Sequence, residues 1–192
     1  MNLDFYKGKK VLLTGHTGFK GSWLSKILVM AGADVTGYSL EPPTEPNLFS
    51  IAGLDGRMKS VIGDIRDYEH LKSVFDEVQP EIVFHLAAQP IVITSYEQPK
   101  YTYETNVMGT VNLLELARKH NIRMHFISTD EVYGALGDTG YFTEKTPYDP
   151  SSPYSSSKAS SDMIARAYHR TYGMNITVSN CSNNYGPYQF PE

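Results

Sequence analysis

Cysteine is nearly absent: Cys181 stands alone among 192 residues. No internal disulfide can form, and the expected setting is a reducing, cytoplasmic one. An excess of positive charge is also missing. The 17 Lys and Arg against 21 Asp and Glu leave a formal charge of −4, which argues against a nucleic-acid partner, whose binding footprint is basic. No apolar run approaches the ~18 residues that span a bilayer. The start, Met1-Asn2-Leu3-Asp4-Phe5-Tyr6-Lys7, lacks the apolar core of a leader peptide, so no membrane partner is expected. The histidines show no zinc-like spacing, and no metal is expected. What is present is ordinary globular composition, 41% apolar and 20% charged, without a repeat or an interior linker. At ~100–200 residues per domain, residues 1–192 read as a single large domain.

Apolar strands alternate with amphipathic helices. Val11-Leu12-Leu13, Ala33 to Tyr38, Met58 to Ile62, Ile82 to Leu86, Ile122 to Ser128 and Ile176-Thr177-Val178 read as six strands. Helices are expected from Phe19 to Met30, with Trp23, Leu24, Ile27 and Leu28 on one face, and from Asp67 through Phe75. A long helix is expected from Ser95 to about Lys119, carrying Pro99 in its first turn and Val107, Val111, Leu114 and Ala117 on an apolar face. A last helix runs from Ser151 to Tyr172 and ends at Gly173. Glu41 to Pro46 and Gly134 to Pro150 read as loops, because proline lacks a donor for helix or central strand. Strands separated by helices imply right-handed crossovers. The fold class expected is α/β, a doubly wound parallel sheet of Rossmann type.

The first strand runs into Thr14-Gly15-His16-Thr17-Gly18-Phe19-Lys20-Gly21 and then a helix. Gly15 permits the tight turn, Gly18 the close approach of a pyrophosphate, and Gly21 close packing of helix on strand. The helix N-terminus would hold the pyrophosphate. This strand–loop–helix context is the one such a motif requires, and it resembles the extended short-chain dehydrogenase/reductases. NAD is the cofactor implied, by way of Gly15, Gly18, Phe19, Lys20 and Gly21. The acid that usually binds the ribose is not in place, because Asp34 begins the second strand. With no arginine there, NAD is favoured over NADP only slightly. Asp64-Ile65 and Leu86-Ala87-Ala88-Gln89 follow strands at the ligand-binding end of a parallel sheet. In the resembling family the aspartate holds adenine, and small alanines let the cofactor pass.

Tyr154-Ser155-Ser156-Ser157-Lys158 places a phenol and an ammonium at i and i+4 on one helical face. The ammonium and a positive nicotinamide ring are expected to lower the phenol's pKa, making Tyr154 a base. Thr129-Asp130-Glu131 follows the fifth strand, and adjacent carboxylates suit paired acid and base work.

Longer motifs narrow the resemblance. Phe126 to Gly134, Ser151 to Asp162 and Asn180 to Glu192 resemble dTDP-glucose 4,6-dehydratases. Gly15 to Leu24, Leu40 to Phe49, Gln89-Pro90 and Thr105 to Thr110 resemble CDP-glucose 4,6-dehydratases. The resemblance implies conversion of a nucleotide-linked glucose to its 4-keto-6-deoxy sugar with loss of water. In that scheme Tyr154 takes the 4-hydroxyl proton, Glu131 takes the C5 proton and Asp130 protonates the departing 6-hydroxyl. Thr129 holds the 4-hydroxyl region, Lys158 the nicotinamide ribose, Asn183 and Gln89 the substrate, and Asn184 and Thr105 the cofactor. Glu131 follows the dTDP type, because the CDP type generally carries lysine there. Alternatives on the same scaffold are a nucleotide-sugar 4-epimerase or decarboxylase, or a dinucleotide-binding module without catalysis. The resemblance also implies a homodimer, and a substrate-binding portion that would follow Glu192 and is absent from this sequence, leaving turnover weak or nil.

Overall fold

The computed structural model describes residues 3–191; Met1, Asn2 and Glu192, which belong to the opening segment and the last motif read above, lie outside the described residues. The strands are β1 (Lys10–Thr14), β2 (Asp34–Ser39), β3 (Lys59–Ile62), β4 (Ile82–His85), β5 (Arg123–Thr129) and β6 (Ile176–Cys181). They form one parallel sheet in the order β3-β2-β1-β4-β5-β6. The order reverses between β1 and β4, where open parallel sheets leave a crevice at the carboxyl ends of their strands. Alternation builds the two cores. Val11 and Leu13 join Leu28, Val35, Ile82 and Phe84 on one face. Leu12 joins Leu71, Phe75, Val83, Leu113, Leu114 and Phe126 on the other. A strand buried on both faces must be apolar through its middle, as Val11-Leu12-Leu13 of β1 and Ile82-Val83-Phe84 of β4 are.

The helices are α1 (Phe19–Met30), α2 (Leu48–Ile51), α3 (Tyr68–Val78), α4 (Val92–Glu97), α5 (Pro99–Tyr103), α6 (Gly109–His120) and α7 (Pro153–Tyr172). The bounds of α1 and the end of α7 fall where expected. Asp67 caps α3 through the His70 N–H, and Gly173 closes α7 in the left-handed region at φ 68°. Short α2, capped by Asn47, was not foreseen.

The single long helix from Ser95 is corrected. The chain is helical from Val92, breaks at Gln98 (φ −130°, ψ 59°) and restarts at Pro99. The proline ring excludes the helical region for the residue before it. A π turn, Glu104–Met108, then joins α5 to α6. This slips the helical phase: Thr105, Asn106, Gly109 and Thr110 are buried, while Val107 and Val111 are only half-buried. The apolar face expected on α1 is also corrected. Trp23 and Ile27 are exposed, and Gly21, Ser22, Ser25 and Leu28 are buried. Small residues let α1 sit close to the glycine loop, where Ser22 Oγ donates to the His16 carbonyl at 3.1 Å.

His16, just beyond the carboxyl end of β1, and His85, at that of β4, are both buried. The Thr14 hydroxyl accepts from the Leu86 and Ala87 N–H groups, so its own proton goes to His85 Nδ1 at 2.8 Å. His85 Nε2–H then donates to Thr110 Oγ1 at 2.9 Å, and Thr110 donates to the Asn106 carbonyl. This chain of donors holds His85 neutral, and burial drives its pKa down to about 3; burial drives His16 to about 4. Both folded values lie below the unfolded value near 6.5. The stability they confer is therefore complete above about pH 6.5 and is lost as pH falls through the folded values. At pH 4 the loss from His85 is ~3 kcal/mol. Acid titration followed by circular dichroism should show unfolding in this window, with a lower midpoint in His85→Gln. An unchanged midpoint would remove His85 from the account.

Among the described residues, no helix is long and apolar enough to cross a membrane. None of them forms a cluster of three His, Cys, Asp or Glu side chains able to hold a metal ion.

Candidate functional site

The carboxyl ends of the strands open onto a cleft of about 810 Å³. Gly15, Gly18, Phe19, Lys20 and Gly21 line it from the glycine loop and the start of α1. Asp64 and Ile65 line it beyond β3, Leu86, Ala87 and Ala88 beyond β4, and Thr105 from the π turn. Thr129, Glu131, Tyr154, Lys158, Asn183 and Asn184 complete the set. Two expected residues are not among those lining the cleft. Asp130 is half-buried beside it. Gln89 is buried, and its amide is spent on internal partners: Nε2 donates to Thr102 Oγ1 at 2.9 Å and to the Ile91 carbonyl, and Oε1 accepts from the Ile91 N–H at 2.6 Å. Its side chain therefore braces the loop after β4 and is not free to meet a substrate.

The glycine loop has its shape for steric reasons. Gly15 sits at φ 78°, and a Cβ there would stand 2.8 Å from the Ala87 nitrogen. A Cβ on Gly21 would stand 1.9 Å from the Gly15 carbonyl oxygen. Gly18 differs, because a Cβ there meets no protein atom nearer than 3.6 Å. The protein itself does not demand glycine at that point, so the space it leaves open is space for a ligand.

At the far end of the cleft, Arg66 grips Asp64, with one guanidinium nitrogen 2.6 Å from Oδ2. This hydrogen bond holds the Asp64 carboxyl below the usual carboxylate range. Arg66 in turn lies over the Tyr101 ring at 4.8 Å.

The reactive end is built from β5 and α7. Ser152 and Ser155 form a reciprocal capping box, and Pro153 occupies the first turn of α7. This fixes where the helix begins and puts Tyr154 and Lys158 on its cleft side. Thr129 ends β5 and caps a short 3-10 turn, Asp130–Tyr133, by accepting the Glu131 N–H at 3.2 Å. That turn, not foreseen from the sequence, swings Glu131 into the cleft. Burial, then the charge of Asp130, raises the Glu131 carboxyl above its ordinary value.

Lys158 is buried; its Nζ donates to the Ile127 carbonyl at 2.8 Å and lies 4.4 Å from the Phe126 ring centre. Burial lowers its pKa to about 8. The expected lowering of Tyr154 is corrected for the protein without ligand. Burial, then the Glu131 charge, raises the phenol to about 12, and only the Thr129 hydroxyl works in the other direction. The ammonium is committed to a backbone carbonyl, so a low phenol pKa would require a positive group brought in with the ligand.

Sequence reasoning missed Ser128, Tyr101 and Glu41, which also line the cleft. Ser128 stands beside Thr129 at a strand end, so position alone would have pointed to it. Tyr101 is hidden by the break at Gln98. The Thr105 and Ser128 hydroxyls are buried without a hydrogen-bond partner among the described residues. An unpaired buried hydroxyl costs ~1–3 kcal/mol, so both are set to receive a polar ligand. Together with the open space at Gly18 and the free N–H groups at the start of α1, they fit a dinucleotide.

Known proteins with this arrangement include nucleotide-sugar 4,6-dehydratases and 4-epimerases. The CDP-glucose 4,6-dehydratase of Salmonella typhimurium is 48% identical over 171 residues, covering 88% of this chain and 48% of its own length. A dTDP-glucose 4,6-dehydratase from Bacillus anthracis, solved in complex with NAD, superposes with a TM-score of 0.82 at 40% identity, covering 94% of this chain and 57% of that one. A UDP-glucose 4-epimerase from Thermus thermophilus, in complex with NAD, gives a TM-score of 0.87 at 32% identity, covering 95% and 58%. The chain thus spans about half the length of the relatives it matches. A family profile described as GDP-mannose 4,6 dehydratase matches residues 12–192, and the chain belongs to that family.

Proposed function

We propose that the chain is the dinucleotide-binding domain of an NAD-dependent nucleotide-sugar 4,6-dehydratase acting on dTDP- or CDP-glucose. The observation that carries this reading is one cleft shared by the glycine loop, the Tyr154–Lys158 pair and Glu131 behind Thr129. The 4,6-dehydratase relatives, at 40–48% identity, support it. NAD, when bound, would supply the redox chemistry that the reaction needs, as a reversible hydride acceptor. Gly15, Gly18, Phe19, Lys20 and Gly21 would hold its pyrophosphate, Asp64 and Ile65 the adenine side, and Thr105 and Asn184 the remainder.

The protein's own work is proton transfer and positioning. Tyr154 takes the proton of the 4-hydroxyl, which Thr129 orients. Glu131, whose raised carboxyl suits a base working near neutrality, removes the C5 proton. Asp130 protonates the leaving 6-hydroxyl. Lys158 holds the nicotinamide ribose, and Asn183 meets the sugar nucleotide. The Asp130–Glu131 pair favours dehydration over 4-epimerisation, since epimerisation eliminates no water and has no task for either carboxylate. A homodimer and a cytoplasmic setting belong to the same reading. Ile93 and Tyr96 on α4 and Met163 on α7 leave apolar surface exposed, suited to helices pairing across two copies; a monomer by light scattering at micromolar concentration would contradict it.

The test is incubation with NAD and either dTDP-glucose or CDP-glucose, followed by the alkaline absorbance of the 4-keto sugar. Product from one nucleotide identifies the donor. A 4-epimer without 4-keto product supports the epimerase reading, and NAD binding without product, both in this chain and in a chimera joined to the remaining half of a dehydratase relative, supports a binding module.

A further inference from the structure

Asp162 lies on α7 one turn beyond Lys158 and is fully buried. The chemistry proposed above does not use it. Its Oδ2 accepts from the Tyr148 hydroxyl at 2.8 Å and from Asn180 Nδ2 at 3.0 Å. Its Oδ1 is buried with no hydrogen-bond partner among the described residues. A buried carboxylate is costly unless it is paired, so a counter-charge is required.

Lys158 and Arg166 stand one turn to either side of Asp162 on α7. Among the described residues neither closes to an ion pair within 4 Å with it, and Arg166 is exposed and donates to the Tyr148 hydroxyl at 2.6 Å, so Lys158 is the buried cation of the two. The need is mutual. The Lys158 ammonium is buried, with one backbone carbonyl and an aromatic face as neighbours. Of the groups around it, Asp162 on α7 most favours its charge, and Cys181 on β6 adds a smaller contribution. Lys20 at the start of α1 opposes it. His85 on β4 is neutral and is itself held down in part by Lys158. Asn180 extends the link. Its Nδ2 group donates to Asp162 and, at 3.2 Å, to the carbonyl of Thr129.

We propose that Asp162 is a positioning residue: it supplies the buried counter-charge that keeps Lys158 an ammonium in the cleft, and through Asn180 it pins the end of β5 that presents Thr129. A purely structural brace would need only a hydrogen-bond acceptor at this position. The counter-charge role needs the negative charge itself. Asp162→Asn separates the two, since its amide oxygen still accepts from Tyr148 and Asn180.

The inference rests on reading Lys158 as the ammonium of the cofactor site, but its test uses the chain without ligand. Failure of turnover therefore leaves it standing, and failure of the inference leaves the dehydratase reading standing. The ε-carbon resonance of Lys158, in protein carrying 13C-labelled lysine and assigned with Lys158→Met, reports its titration directly. The parent midpoint, expected below the ordinary lysine range because Lys158 is buried, should fall further in Asp162→Asn by at least one pH unit, a tenfold loss of proton affinity. An unmoved midpoint in folded protein overturns the proposal. Thermal melting supplies the second arm. Asp162→Asn should lower the melting temperature in the parent but not in a Lys158→Met background, where no ammonium needs the charge. Equal losses in both backgrounds overturn the proposal, as does failure to fold in both. Folding of the double variant alone upholds it.

Discussion

Gly21→Ala should lower NAD affinity at least a hundredfold and the melting temperature by several degrees. Helix propensity alone points the other way, because alanine exceeds glycine inside a helix by ~1 kcal/mol. Sterics reverse the sign. The new Cβ would lie 1.9 Å from the Gly15 carbonyl oxygen and 2.8 Å from the Gly15 carbonyl carbon and the His16 Cα. All three are backbone atoms, so no side-chain rotation relieves the clash. Nor can Gly15 retreat, since it abuts the Ala87 nitrogen and already sits at φ 78°. The loop must move toward the cleft, into the space a pyrophosphate would use. Overpacking of this kind costs ~1–3 kcal/mol, which for a chain of this size is roughly 2–10 °C. Gly18→Ala is the contrasting case. Its Cβ would have room in the protein, so the melting temperature of the free chain should hold while NAD affinity falls. Calorimetric titration and thermal melts on both variants decide the matter; parent-like affinity in Gly21→Ala would show that the loop holds no dinucleotide.

The glycine loop was legible because its causes are local. A buried strand, three glycines and a helix start occupy adjacent residues, and Gly21 is required by its near neighbours Gly15 and His16. The same holds for α7, whose Ser152, Pro153 and Gly173 are start and stop signals independent of the rest of the fold. The misreadings share the opposite property. Nothing near His85 in the sequence shows that Thr110, 25 residues later, is its partner. Gln89 looks available until Thr102 claims its amide. The phase slip at the π turn is set by packing of Thr105 and Asn106 beneath α7, where Asn106 Nδ2 donates to Ser157 Oγ at 2.8 Å, and no periodicity in the segment announces it. Tyr154 was misjudged for the same reason: spacing shows that lysine is near, but not that burial and Glu131 outweigh it.

That opposition between Glu131 and Tyr154 yields the second large effect. Glu131→Gln should cut elimination by 10²–10⁴-fold, the usual contribution of a positioned base, while leaving oxidation at C4 intact or faster. Two consequences follow from removing one negative charge. Glutamine cannot take the C5 proton, so incorporation of solvent deuterium at C5 of the sugar should stop. Meanwhile the phenol of Tyr154, held up in part by the Glu131 charge, becomes easier to ionise, so the first proton transfer loses an obstacle. On the proposed reading, the two carboxylates and the phenol act in sequence through one electrostatic field. If Glu131 is the base, elimination in the parent requires it ionised, and burial beside Asp130 raises its carboxyl. Activity should therefore fail, as pH drops, at a higher value than an ordinary glutamate would set, and this acid limb should be absent from the C4 oxidation of Glu131→Gln. The comparison is made in this chain or, if it is silent in the product assay, in a chimera joined to the remaining half of a dehydratase relative. Unchanged deuterium incorporation would take Glu131 out of the elimination and leave the pair beside Thr129 without its assigned work.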